Sequence, residues 1–225
     1  MAAKQIVFGD EARAKIEARA KERFEREQAD HQAKLAARDA KAAATGKKPT
    51  GREPKPPVAP PLPTDQINLT DEESRIMPVA GGGFEQCYNA QAAVAVGSLL
   101  VVVADVVQAP NDKQQLMPML DKIGTLPDAL GRPDTLLADN GYFSEANVQA
   151  CVAGGIEPLI ALGREAHHPS LQERFAAAPP APEDPTPVQA MAYRLRTPQG
   201  RALYALRKQT PEPVFGIIKS VLGFR

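Results

Sequence analysis

The chain has 225 residues with 27 Lys and Arg against 27 Asp and Glu, a formal net charge of zero, which sets aside a protein that holds nucleic acid by overall positive charge. With 43% hydrophobic and 24% charged residues there is apolar material for one core of ordinary size plus an extension. The longest apolar run, Ala92–Val103, is too short for a membrane span, and no leader-like apolar segment opens the chain, so a cytoplasmic location is expected.

From about Asp10 to Ala44 the sequence is Ala, Glu, Lys and Arg with almost no helix breakers, which predicts a long charged helix, residues 1–44 forming an extension. Its apolar residues Ile16, Phe24 and Leu35 are too sparse for a heptad seam, so a solvated helix and a partner-binding one both stay open. Residues 45–64 are dense in proline and read as an extended linker with polyproline II character. Its Lys47, Lys48, Arg52 and Lys55 could skim a phosphate backbone or simply be solvated.

The core is expected over 65–225. Glu85–Val94 and Leu99–Val107 read as a hairpin of buried strands, and Asp112–Ile123 as a helix. Thr135–Ala138 reads as a short buried strand, Ser144 as the N-cap of a helix to about Ala153 closed by Gly154-Gly155, and Ile156–Ala161 as a further strand. Strand hairpin, helix, strand, helix, strand is an α/β order. Between Gly163 and about Pro198 the periodicity breaks down among Pro179, Pro180, Pro182, Pro185 and Pro187, which predicts a flexible insertion at 163–198. His167-His168 stands at its start, either a loop pair or a ligand for metal or phosphate. Cys87 and Cys151 have no metal-ligand spacing and read as buried free thiols.

Two acids stand where packing alone does not ask for them. Asp139, in Leu137-Ala-Asp139-Asn-Gly141-Tyr142-Phe-Ser144, follows an apolar strand, where an open α/β sheet presents ligand-binding side chains; the alternative is a turn-forming Asp before Asn-Gly. Glu212, in Arg207-Lys208-Gln-Thr-Pro-Glu212-Pro, begins a helix near Pro211, where the macrodipole by itself favours an acid. The helical repeat of Phe215, Ile218 and Leu222 predicts Glu212 near the core-facing edge.

These strings, with Thr70-Asp71-Glu-Glu-Ser-Arg75-Ile-Met and Gly83-Phe-Glu-Gln-Cys-Tyr88-Asn89-Ala-Gln91-Ala-Ala-Val, resemble the catalytic domain of DDE-type insertion-element transposases over roughly Thr64 to Arg225. The resemblance implies a ribonuclease-H-like mixed sheet with flanking helices and metal-dependent phosphoryl transfer in DNA transposition. It implies three acids, Asp71, Asp139 and Glu212, holding Mg²⁺ or Mn²⁺ as a pair of ions, one activating the attacking oxygen and one stabilising the leaving one. Asp71 is the first acid by order, with Asp105 and Asp112 as rivals and a capping role beside Thr70 and Glu73 as the structural alternative.

By the same resemblance Tyr204, Arg207, Lys208 and Lys219 would grip DNA phosphates. Double-stranded DNA at element ends and target is the implied partner, with a homodimer and a nucleoid-associated location as further expectations. Relatives carry an aliphatic residue where Pro211 stands, and often an Asp at Ala95. They also extend beyond both ends of this chain, so a truncated copy of weak or no activity is expected, its apolar surface at Phe215, Ile217 and Leu222 exposed. A non-catalytic DNA-binding remnant is the alternative.

Overall fold

A computed structural model describes residues 2–47, 51–79, 81–163 and 180–223. The chain divides into two compact units, 1–76 and 77–225.

The first unit is one long helix and a strap. Helix α1 spans Ala2–Thr45, as expected of a segment rich in strong helix formers, and Arg13 with Glu17 (3.0 Å) and Arg23 with Glu27 (3.8 Å) pair one turn apart. The proline-rich run does not leave the helix as a free linker. Arg38 Nη2 donates to the Gly51 carbonyl (3.0 Å), His31 Nε2 meets the Pro54 carbonyl (3.1 Å), Arg23 grips Asp65 through both guanidinium ends, and Lys15 pairs with Glu72 (2.5 Å). As the helix number falls from 38 to 15 the strap number rises from 51 to 72, so the strap runs antiparallel along about 35 Å of helix. Half-buried positions in the strap recur at Pro54, Pro57 and Pro60, the threefold period of polyproline II. Proline serves here because a chain that forms no ladder loses nothing by lacking N–H groups, and its fixed φ lowers the entropy cost of lying straight.

The second unit is mixed α/β. Strand β1 (Arg75–Pro78) pairs with β2 (Phe84–Cys87), β3 (Asn89–Val94) with β4 (Val101–Val107), and β5 (Thr135–Ala138) with β6 (Glu157–Ile160). The described strands thus form three two-stranded ladders, whereas one mixed sheet was expected. The β3–β4 hairpin is antiparallel, Asn89 opposite Val107 and Ala93 opposite Val103, with an irregularity at Val94; β5 and β6 run parallel, Thr135 opposite Glu157 and Ala138 opposite Ile160.

Helix α2 spans Leu116–Gly124 and buries Leu116, Met119 and Ile123, an i, i+3, i+7 stripe. It starts four residues later than the sequence predicts, because Asp112 closes a turn, its carbonyl accepting from Gln115 N (2.9 Å). Helix α3 (Glu145–Ala153) is capped by Ser144, whose hydroxyl accepts from Asn147 N. Gly155, at φ +73°, then turns the chain into β6 in a region that L side chains rarely adopt.

Leu116, Ala138, Val148, Cys151, Ile160 and Met191 form the main core, and Val103, Met119 and Ile123 a second cluster. Met191 comes from α4 (Pro187–Arg196), which lies where a flexible insertion was expected. The prolines misled because Pro187 occupies the first helical position, where a missing N–H costs nothing, behind a complete capping box of Thr186 and Gln189. Helices α5 (Pro198–Gln209) and α6 (Pro211–Ser220) follow, each also opening on a proline.

The β3–β4 hairpin is not buried as expected. Leu99, Leu100, Val101, Val102 and Val106 are exposed, while Val103 and Gln91 point inward. Among the cysteines, Cys151 is buried and Cys87 half-buried, both free. No described helix is long and apolar enough to cross a membrane.

Candidate functional site

The site is built at the C-terminal end of β5. Asp139 follows Ala138 directly and caps its own short 3₁₀ turn, Asn140–Tyr142, by accepting from Gly141 N (2.8 Å). Asp139 therefore forms the turn, and the turn fixes where its carboxylate sits.

Helix α5 brings the basic group. Tyr204 OH donates to the Ala138 carbonyl (3.2 Å) and so ties α5 to the strand end. One turn on, the Arg207 guanidinium lies 5.5 Å from the centre of the Tyr204 ring, a cation–π distance. Its Nη1 is 3.9 Å from Asp139 Oδ2, while its buried Nε has no hydrogen-bond partner among the described residues. An inward guanidinium with an idle donor suits an anion in the space before it.

That space is a cavity of about 910 Å³, lined by β3 and β5, by Asp139, Tyr142 and Arg207, and by Glu212, Phe215 and Lys219 of α6. Asp139 and Glu212, 73 residues apart in sequence, thus face one cavity. Glu212 is exposed, not at the core-facing edge, because α6 turns Val214 inward instead. Lys208 and Lys219 are exposed, as are Ile217 and Leu222, whereas Phe215 is half-buried.

Asp71 lies in the first unit, in a turn where its carbonyl accepts from Ser74 N (3.3 Å) and from Ser74 Oγ (2.8 Å). Asp105 is engaged elsewhere: it pairs with Lys122 (2.9 Å), a hydrogen bond that holds its carboxyl below the usual range. His167 and His168 lie outside the described residues.

Asp112 stands beside Asp139. A methyl group built on Gly141 would sit 2.9 Å from Asp139 Oδ1 and 3.2 Å from Asp112 Oδ2, so both carboxylates flank that glycine. Asp112 Oδ1 accepts from Asn89 Nδ2 and from Gln91 Nε2, each at 2.8 Å, and Tyr142 OH donates to Gln91 Oε1. Tyr142 is pushed well above the ordinary phenol range, chiefly by burial and then by the charges of Asp112 and Asp139. Sequence reasoning missed this arrangement. Its signal was two amides on alternate residues, Asn89 and Gln91, which a strand puts on one face.

Asp139, Asp112 and Glu212 are hard oxygen donors of the kind a divalent ion with several retained waters accepts. Among the described residues, however, no three acidic, His or Cys side chains gather closely enough to hold a metal together.

The signature of the transposase DDE domain matches residues 59–225. Over 65 residues the chain is 42% identical to a protein of Burkholderia cepacia assigned as the transposase for insertion sequence element IS402. Those residues are 27% of this chain and 31% of that protein, so the chain matches under a third of its relative. No solved structure matches the chain. DDE transposase domains as a group use divalent metal ions, and their work is DNA transposition. Since the family signature covers most of the chain, including the strand end, the basic helix and the acid that follows it, the chain belongs to the transposase DDE domain family.

Proposed function

We propose that this chain carries the phosphoryl-transfer centre of a DNA transposase, cutting and joining strands at element ends, on a ribonuclease-H-like scaffold. The observation that carries this reading is the cavity shared by Asp139, Glu212, Arg207 and Lys219, which puts acids for a metal and cations for a phosphate around one space. Asp139 and Glu212 are the proposed acids of this cavity, and Asp112, beside Asp139 at Gly141, takes the place that the resemblance gave to Asp71, which belongs to the other unit. When bound, Mg²⁺ or Mn²⁺, as a pair of ions, supplies charge neutralisation and an activated oxygen nucleophile.

The chain's own residues do the rest. The Asp139 turn holds its carboxylate at the strand end, and Tyr204 keeps α5 against that strand. Arg207 offers its guanidinium to a phosphate oxygen, with Lys208 and Lys219 contacting neighbouring phosphates. The proposed partner is double-stranded DNA in the nucleoid, engaged by a homodimer. A copy of low activity, or a remnant that binds DNA without cutting it, is the second reading, and one experiment separates the two.

The test is Mn²⁺ calorimetry with supercoiled-plasmid nicking on the full chain, Asp139→Asn and Glu212→Gln. The expected result is Mn²⁺ binding that either substitution weakens at least tenfold, with nicking reduced a hundredfold or more. Salt-dependent plasmid binding without nicking, and indifferent to both substitutions, would select the DNA-binding remnant.

A further inference from the structure

Two segments meet at the acid site: the turn at 109–115 that carries Asp112 and the turn at 139–143 that carries Asp139. They are stapled twice by buried amide side chains. Gln91, 4% exposed, donates from Nε2 to Asp112 Oδ1 and accepts at Oε1 from Tyr142 OH. Asn147, 3% exposed, donates from one Nδ2 to the Lys113 carbonyl (2.8 Å) and to the Tyr142 carbonyl (2.7 Å). The two amides come from different elements, β3 and α3, yet each bridges the same two turns.

An amide joins a donor end and an acceptor end in one short planar group without a charge, as Gln91 does between a carboxylate and a phenol. Buried amides that lacked these partners would leave desolvated polar atoms unsatisfied, so they are not filler. Asn89 completes the set, bonding Asp112 Oδ1 (2.8 Å), the Ala109 carbonyl (3.1 Å) and Gln91 Nε2 (2.8 Å). No Lys or Arg among the described residues forms an ion pair with Asp112. Its charge is steadied by neutral amide donors, which leaves Oδ2 turned toward Gly141 and Asp139.

We propose that Gln91 and Asn147 are positioning residues of the acid site, a double amide clamp that locks the Asp112 turn to the Asp139 turn and holds the Asp112 carboxylate beside that of Asp139. The proposal deepens the phosphoryl-transfer reading and rests on it for its purpose, but the clamp itself is measurable without catalysis. Its benefit is preorganisation: the Asp112 carboxylate, held by neutral donors, is kept close to that of Asp139 before a cation arrives.

The experiment follows amide hydrogen exchange in the full chain, comparing Gly141 N–H, which bonds the Asp139 carboxylate, with Ile160 N–H in the core. Mn²⁺ affinity is measured by calorimetry on the same samples. Gln91→Leu and the milder Tyr142→Phe are each expected to speed Gly141 exchange tenfold or more and to weaken Mn²⁺ binding about tenfold, with Ile160 protection unchanged. Should Gln91→Leu also lose Ile160 protection, Tyr142→Phe alone decides. Unchanged Gly141 exchange in a folded Tyr142→Phe protein overturns the clamp. Gly141 exchange that responds while Asp139→Asn leaves Mn²⁺ binding untouched would keep the clamp and overturn the phosphoryl-transfer reading.

Discussion

The two units solve the problem of staying folded in opposite ways. Around β5, α3 and β6, stability is volumetric: Val148, Cys151, Ile160 and Met191 have no solvent exposure at all, and each touches chain from several elements. Along α1 it is linear. Among the helix residues whose burial is described, Ala20 is the one buried, and the strap is held by separate polar contacts at Arg38, His31, Arg23 and Lys15. A volumetric core fails cooperatively when one atom is added or removed, whereas a linear ladder loses one rung at a time.

The sharpest way to break this contrast is Gly200→Ala. Gly200 lies in the first turn of α5 where it leaves α4, its N–H donating to Thr197 Oγ1 (3.0 Å), and an added methyl would land on the Arg194 backbone carbonyl. Backbone cannot swing aside as a side chain can, so α4 and α5 must separate and pull Met191 from the core. A loss of about 3 kcal/mol or more is expected by denaturant unfolding of the second unit. A loss under about 0.5 kcal/mol would mean that the junction is pliable and the core less cooperative than its burial implies.

An intermediate effect tests the ladder. Arg23 and Asp65 have side chains 26% and 12% exposed, so their two-pronged pair is worth more than a surface pair, and Arg23→Met should loosen the strap by about 1–2 kcal/mol. The bond to Arg23 holds the Asp65 carboxyl below its ordinary pKa. A depressed folded pKa contributes stability that is full above the unfolded value of about 3.9 and is lost as pH falls through the lower folded value. Protease cleavage within 51–72 should therefore rise in acid below about pH 4, and Asp65→Asn should show that faster cleavage already at pH 7 and lose the pH dependence. Cleavage in the unsubstituted chain that is equally fast at pH 7 and pH 3 would show that this rung holds nothing.

What could be read in the sequence divides along the same line. The strand at Thr135–Ala138, the Ser144 cap, the glycine stop and the helix opening at Pro211 were all legible, because each is written by neighbours in sequence. The strap was not, since its proline pattern is equally that of a free linker and only the distant partners on α1 distinguish the two. Helix α4 was missed for a related reason: Pro187 at a first helical position and Pro182 in a loop look alike until the Thr186 cap is weighed. At the site, Asp139 and Glu212 stood out as isolated acids out of place, whereas Asp112 was only a rival to Asp71 for the first acid and its nearness to Asp139 was not foreseen. No local signal places residue 112 against residue 141, and the amides that hold it there belong to a strand and a helix far apart in the chain.

The smallest expected effect sharpens the comparison from the other side. Ser144 Oγ accepts from Asn147 N (3.1 Å) at the start of α3, and Asn147 is a jaw of the amide clamp, so Ser144→Ala removes a cap and frees a clamp residue together. Loss of the cap alone is worth about 1 kcal/mol. Within α1 the exposed Ala33 offers the matched control: Ala33→Ser costs only its helix propensity, about 0.5 kcal/mol or less, because no neighbour depends on its position. Denaturant midpoints for the two variants should differ accordingly, and Ser144→Ala should also speed Gly141 exchange. A Ser144→Ala protein with its full 1 kcal/mol loss but unaltered Gly141 exchange would show that Asn147 keeps its grip on the two turns without the cap, and that α3 is positioned by its burial against β6.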